Sequence, residues 1–390
     1  MKILALTSIR SDYDLMSQLY SLLHNDRDID LRLLVSGAHL SHSYGYTLKN
    51  IEQDGFNILL KIESLIDADS LSSRLKSASN LLISSIDVVC DFAPDLIIYA
   101  GDREDVMIGA LLGGFLSIPT IHFFAGDHAA DGHIDNPLRH AASKLSTVHF
   151  VSTKQHKQRL LAIAEPEFRI HNIGSIALDK FRLHESEPMP DIYKRFNIAK
   201  ERQKQEHGLI IFHPIEEEIE NAAEYIKYMA DTLLQRGMFV FISSPNTDYG
   251  NKNIVQAIEV LSANPHVYCY KNLPRADFLS IFKQAKLIIG NSSAGILEAA
   301  SIPISAVNVG KRQSGRQCGA NVIFCDTDKK SIEDAVIKAC SDNFIKSFAD
   351  IKNIYGDGNS SKRAYDLIKN IDFLSILKKK EDPLENINEK

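Results

Sequence analysis

Asp95-Leu96-Ile97-Ile98-Tyr99-Ala100-Gly101-Asp102-Arg103-Glu104 is the stretch on which the fold is read. From 96 to 100 the residues are apolar without alternation, so the strand they predict is covered on both faces, as inside a parallel sheet. Gly101 ends the run, and the three charged side chains that follow cannot enter a sheet interior. They gather at the carboxyl end of the strand and point into solvent or into a ligand site, with a structural salt bridge as the plainer reading.

Outward from this strand the same rhythm repeats. Strands are predicted over 2–7 and 31–35, and between them Leu15, Leu19, Leu22 and Leu23 recur at helical spacing. A helix over 106–116 precedes a strand over 119–124, and further strands follow over 148–152 and 168–173. Alternating strands and helices imply right-handed crossovers and a doubly wound parallel sheet. After a polar stretch over 185–205, whose Pro188 and Pro190 read as a linker, a second series begins. Its strands are predicted over 208–212, 238–243, 267–270, 287–289, 304–307 and 322–324. The fold class is α/β, with two Rossmann-like, doubly wound parallel-sheet domains facing a cleft, an N-terminal one over 1–184 and a C-terminal one over 185–358. A last helix is expected over 360–378 within a segment 359–378, and the polar tail 379–390 is expected to be solvated and disordered.

Composition narrows the function. The 390 residues are 44% hydrophobic and 24% charged, ordinary for a chain that buries a full core. Fifty acidic residues against 44 Lys and Arg give a net charge of −6, the wrong sign for a dedicated nucleic-acid binder. No apolar run approaches the roughly 18–20 residues of a membrane span, and the N-terminus reads as a first strand rather than a signal peptide. Cys90, Cys269, Cys318, Cys325 and Cys340 are odd in number and scattered, which favours reduced thiols and a cytoplasmic location over a disulfide framework or a zinc site.

Ligands of doubly wound sheets bind beyond the carboxyl ends of the strands, and polar residues collect there. In 8–14, Arg10 beside a helix start suits a phosphate, or Ser11 or Asp12 simply caps the helix. There is no glycine-rich dinucleotide or Walker loop. Between 127 and 140 lie Asp127, His128, Asp131, His133, Asp135 and His140, the densest set of proton-transfer groups in the chain. A metal site is the lesser reading, since no helical His-Glu-x-x-His pattern is present, and no metal is assigned. Arg139, His140 and Lys144 stand ready to orient these carboxylates. His213-Pro214 follows the strand at 208–212. Gly290-Asn291-Ser292-Ser293 offers hydroxyls and amides to a diphosphate at a strand-to-helix turn, with Glu298 about two turns into the helix and facing a ribose. The loop from Gly310 to Arg316 is basic and suits phosphate.

Together these residues resemble the hydrolysing UDP-N-acetylglucosamine 2-epimerases of the sialic-acid and legionaminic-acid pathways. The resemblance runs from about residue 1 to 370. It rests on Arg10-Ser11-Asp12-Tyr13, Ser36-Gly37-Ala38-His39-Leu40, Gly101-Asp102-Arg103, Arg139-His140-Ala141 with Lys144-Leu145-Ser146, Asn172-Ile173-Gly174-Ser175, His213-Pro214, Pro245-Asn246 with Asp248, Gly290-Asn291-Ser292-Ser293, and Arg312-Gln313 with Gly315-Arg316. It implies the two-domain GT-B fold, in which the last helix crosses back to the N-terminal domain. It also implies a cytoplasmic homodimer or homotetramer whose partner is a nucleotide sugar, not nucleic acid or membrane, and which uses no redox cofactor.

The reaction it implies is elimination of the nucleoside diphosphate across C1 and C2 to a glycal, then hydration to the free 2-epimeric sugar. On motif position Asp102, Asp127 and Asp135 are the acid/base candidates, with His213 near the leaving diphosphate or acting as an acid. Arg10, Arg103, Ser292, Ser293 and Arg312 hold phosphates, Glu298 the ribose, and Asn246 or His39 lines nucleotide or sugar. One segment departs from the pattern. Where many relatives read His-Ile-x-Gly-Gly-Glu, this chain reads His122-Phe123-Phe124-Ala125-Gly126-Asp127, and Asn136 replaces a second acid. Phe124 suits a sugar less polar at C4 and C6, of the diacetylbacillosamine type. The competing readings are a GT-B glycosyltransferase, a nucleotide-sugar sensor without activity, and a reversible, non-hydrolysing epimerase.

Overall fold

Seven strands make the first sheet: β1 (Lys2–Thr7), β2 (Asp30–Ser36), β3 (Ile58–Ile62), β4 (Leu96–Ala100), β5 (Thr120–Phe123), β6 (Val148–Val151) and β7 (Ile170–Asn172). Six make the second: β8 (His207–Ile211), β9 (Phe239–Ser243), β10 (Val267–Tyr270), β11 (Leu287–Gly290), β12 (Ser305–Val309) and β13 (Val322–Cys325). The computed structural model describes residues 1–68, 70–128, 134–213, 215–245 and 250–384, so Asn246, Asp248, Pro214, Asp131 and His133 lie outside the described residues. These fall into two compact units, one of residues 1–128, 134–180 and 355–384, the other of 181–354.

Every strand pair is parallel. The orders are β3-β2-β1-β4-β5-β6-β7 and β10-β9-β8-β11-β12-β13, so each sheet reverses direction once, between β1 and β4 and between β8 and β11. Loops leaving the carboxyl ends of those two pairs diverge and open a crevice within each unit, the usual ligand position in such sheets. The continuous apolar strands account for the burial. Ile97, Ile98 and Tyr99 are fully buried, as are Leu209, Ile210 and Ile289 in the second sheet. β3 escaped the sequence because it is an edge strand, half-buried through Ile58, Leu59 and Leu60, with an irregular register against β2.

Three expectations are corrected. Pro188 and Pro190 do not mark an open linker: Pro188 precedes, and Pro190 occupies, the first turn of the helix Met189–Arg195, where a missing N–H costs nothing. That helix buries Met189, Ile192 and Tyr193 in the core of the second unit. The last helix ends early, at Asn370, and Ile371 turns extended. Asp179 takes the backbone N–H of Ser360 at 2.9 Å and of Ser361 at 2.5 Å, holding the start of this helix on the first unit. Ala364, Ile368 and Phe373 then pack with Leu19, Tyr20 and Leu23. The start of the tail is held rather than solvated, since Lys379 reaches Glu165 at 2.6 Å and Glu381 accepts from Arg169 at 2.9 Å, while residues 385–390 lie outside the described residues. No helix among the described residues is long and apolar enough to cross a membrane.

Gly290 closes β11 with φ +135°, and a Cβ there would stand 2.1 Å from the Ile211 carbonyl oxygen. Gly290→Ala therefore loses about 2 kcal/mol of stability or more in urea unfolding. Unchanged stability would contradict this packing of β8 against β11.

Candidate functional site

In the first unit β1 leads into the helix Arg10–His24 and β4 into the helix Glu104–Leu116. Neither Ser11 nor Asp12 is the N-cap, which is Ile9 in extended conformation. Asp12 instead reaches back, accepting from Ser8 N at 3.1 Å and Thr7 Oγ1 at 2.7 Å, in the manner of a capping box. Arg10 opens the helix and pairs with Asp14 at 3.2 Å. His39, expected to line nucleotide or sugar, is completely enclosed. Its Nε2 meets Thr7 Oγ1 at 3.0 Å and its Nδ1 meets Thr47 Oγ1 at 2.8 Å. Since Thr7 gives its hydrogen to Asp12, His39 donates from Nε2 and accepts at Nδ1. It braces the β1 loop from behind.

Arg139 is the hub of this unit. It lies on the helix Asp135–Leu145 with only 3% of its surface exposed. Its guanidinium hydrogen-bonds Asp102, donates to the Phe124 carbonyl at 2.8 Å and stands 3.7 Å from Asp127. Phe124 holds φ +60°, rare for a residue with a side chain, so this loop is over-determined by its partners. Asp127 also takes His128 N at 2.8 Å and lies 3.3 Å from His156 Nε2. A Cβ at Gly126 would strike the His156 carbonyl oxygen at 2.3 Å, so strand end and helix are in direct contact. The structure thus brings Asp102 and Asp127 onto one cation. It leaves Asp135 on Arg74 at 3.1 Å, beside the Arg74–Glu104 pair at 2.8 Å. Arg103 is the N-cap residue of the helix Glu104–Leu116, with no side-chain cap bond.

Behind this row His122 is fully buried, and burial pushes its pKa down to about 3 against the bond to Gly101 O. It is neutral at pH 7. Gly101 O, 2.8 Å from Nε2, can only accept, so Nε2 carries the hydrogen; Nδ1 lies 3.0 Å from Ser143 Oγ, whose hydroxyl also reaches Arg139 O at 3.0 Å.

In the second unit Asn291 plays the corresponding part without charge. Fully buried, it accepts His213 N and donates to His213 O, both at 2.8 Å. Its own carbonyl receives Arg312 Nη1 at 3.0 Å and Gln313 Nε2 at 2.9 Å. One side chain and one carbonyl thereby tie together the loops after β8, β11 and β12. Ser292 caps the helix Ser293–Leu297. That helix has five residues, so its dipole is small. Glu298 is not two turns inside a helix; it is the C-cap residue, and it is buried.

Three residues escaped the sequence reading. Asp105 follows the Gly101–Glu104 motif and is 5% exposed; burial, the Asp12 charge and Glu104 raise its pKa to about 7, against Arg103 and Ser8. Glu218 sits in a run of acids that reads as a solvated face. It is buried, accepts Lys311 N at 3.0 Å, and so fastens the basic loop. His156 occupies a helix whose sequence offers no site signal.

Each of the two doubly wound units thus carries polar side chains at its switch point, where such sheets bind ligands. A family model described as UDP-N-acetylglucosamine 2-epimerase matches residues 21–369. The chain is 32% identical to UDP-N,N'-diacetylbacillosamine 2-epimerase (hydrolyzing) of Legionella pneumophila, covering 95% of this chain and 96% of that one. It is 32% identical to GDP/UDP-N,N'-diacetylbacillosamine 2-epimerase (hydrolyzing) of Campylobacter jejuni, over 88% of each. In three dimensions it is similar to Neisseria meningitidis UDP-GlcNAc 2-epimerase bound to UDP-GlcNAc, with TM-score 0.80 and 19% identity over 95% of this chain and 100% of that one. This protein belongs to the UDP-N-acetylglucosamine 2-epimerase family and has its GT-B type fold.

Asp105 gives a pH test. With its pKa raised in the fold, its contribution to stability is present below about 3.8 and is lost as pH rises through about 7. Asn cannot titrate, so Asp105→Asn gains stability relative to wild type between pH 5 and pH 8 in urea unfolding. A difference independent of pH would refute the assignment.

Proposed function

We propose that this protein is a hydrolysing 2-epimerase of a nucleotide-linked acetamido sugar, with UDP-N,N'-diacetylbacillosamine as its preferred substrate class and 2,4-diacetamido-2,4,6-trideoxymannose as product. One observation carries the reading: Arg139 holds Asp102 and Asp127 together at the ends of β4 and β5, in a chain 32% identical, almost end to end, to an enzyme named for this activity. Phe124 supports the sugar. It stands between His122 and Asp127, partly buried against the core, and offers no group to a sugar hydroxyl.

The chemistry follows from what C2 requires. Its proton is weakly acidic, and a positioned carboxylate removes it as the C1–O bond to the diphosphate breaks. The electron pair forms the C1–C2 double bond of a glycal, and the nucleoside diphosphate leaves. Water then adds its hydroxyl at C1, and a carboxylic acid returns a proton to the opposite face of C2. The sum is nucleotide sugar plus water to nucleoside diphosphate plus free sugar, with no net oxidation. Asp102 and Asp127 are the proton-transfer groups. Arg139 holds both in place, and His156 orients Asp127. In the second unit the Ser292 and Ser293 hydroxyls, Arg312 and His213 stabilise the departing diphosphate, which carries the developing charge.

Asp102→Asn keeps the shape and removes one of the two proton-transfer carboxylates, and should lower kcat by about 10²–10⁴-fold with the protein still folded. Proton NMR of reactions with UDP-N,N'-diacetylbacillosamine, UDP-GlcNAc and a GDP-linked analogue should show free 2-epimeric diacetamido sugar and nucleoside diphosphate. A product still linked to nucleotide, or turnover of UDP-GlcNAc alone, would overturn the proposal, as would near-normal turnover in Asp102→Asn.

A further inference from the structure

We propose that the segment following the last helix is a strap that fixes the helix Asp135–Leu145, and that Lys379 is thereby a positioning residue for Arg139 and the two carboxylates it holds. The inference rests on the assignment of Asp102 and Asp127 above and extends it to a part of the chain that the reaction does not touch.

The strap is anchored by a buried charge. Arg169 is 1% exposed. Its Nη1 donates to Thr147 O at 3.1 Å and Ile376 O at 2.5 Å, and its Nη2 to Lys378 O at 3.2 Å and Glu381 at 2.9 Å. A guanidinium taken so far from water needs every one of these acceptors, so the backbone from 376 to 381 is held in one place. That placement delivers Lys379 to the end of the helix. Its ammonium donates to two carbonyls of the last turn, Lys144 O at 2.9 Å and Ser143 O at 3.2 Å, the latter already taking the Ser146 N–H at 3.1 Å. A cation there also meets the negative end of the helix dipole.

The third partner of Lys379 is Glu165, whose side chain is wholly buried and also lies 2.8 Å from Lys144 Nζ and 2.7 Å from His149 Nε2. Burial raises the pKa of this carboxylate, but the hydrogen bond from His149, with the Lys379 and Lys144 ammonium groups, outweighs it and holds the pKa down to about 2. The strap, the helix end and β6 therefore meet at a single ion. Arg139 lies one turn before Ser143 on the same helix. Ser143 offers its carbonyl to Lys379 and its hydroxyl lies 3.0 Å from His122, and His122 binds the carbonyl of Gly101, the residue before Asp102. The position of the helix thus sets both ends of the Arg139–Asp102 pair.

The test uses the full chain. Lys379→Met keeps the bulk of the side chain and removes the charge, Lys379→Arg keeps the charge, and Glu381→Gln loosens the anchor at a partly exposed position. Hydrogen–deuterium exchange, kcat and KM are measured for each. For Lys379→Met, amide exchange over 135–145 should rise at least tenfold while exchange over 207–211 stays as in wild type. Its kcat should fall at least tenfold with KM within twofold, and Lys379→Arg should recover at least half of the lost rate. Glu381→Gln should change both readouts in the same direction by less, and stands as the probe if Lys379→Met fails to fold. Unchanged exchange over 135–145, or exchange raised equally throughout the chain, overturns the strap. If the wild type releases no free sugar from any nucleotide sugar, the functional reading fails, while the exchange measurement still decides the strap.

Discussion

A guanidinium buried to within 3% of its surface organises the catalytic candidates, and its surroundings explain why. Asp102 and Asp127 stand at the ends of adjacent parallel strands, where two carboxylates repel each other. Arg139 offsets that repulsion, and its planar fork also takes the Phe124 carbonyl, pinning a loop that holds a left-handed backbone at a bulky residue. A buried guanidinium left without its acceptors typically costs about 3–5 kcal/mol. The two carboxylates are therefore held in place by the arginine as well as by their own strands.

The second unit reaches the same end by neutral means. Its sheet repeats the topology of the first, and the residues beyond its reversal point are joined by an amide, Asn291, rather than by charge. Arg312 donates to the Asn291 carbonyl, and the Ser292 and Ser293 hydroxyls add no negative charge beside it. Glu218, a buried acid, grips the backbone at Lys311 and has its own pKa raised by burial.

All strands but the edge strand β3, and the places where they end, were legible in the sequence because parallel strands buried on both faces write themselves as unbroken apolar runs. The polar residues that stop those runs, Gly101-Asp102, Gly126-Asp127, Phe212-His213 and Gly290-Asn291, stand where ligands bind such sheets. What stayed hidden depends on partners distant in the chain. Lys379 and Glu381 read as solvent-facing until Arg169, more than 200 residues earlier, is seen beneath them. Asp135 looks equivalent to Asp102 and Asp127 until Arg74, 61 residues away, claims it. Asp105, Glu218 and His156 draw their roles from burial that tertiary packing creates, and no local pattern carries that information. Pro188 and Pro190 were misread for a different reason: a proline that ends one element also begins the next.

The account reduces to hydrogen exchange at the carbon next to the anomeric centre. The most direct measurement is mass spectrometry and NMR of the sugar released in deuterium oxide. One deuterium bound to C2 is predicted in every molecule of product, because the returning proton comes from a carboxyl group in equilibrium with solvent. Free sugar that carries only protium at C2 would show that no carboxylate exchanges the C2 hydrogen with solvent, and the assignment of Asp102 and Asp127 would fall with it.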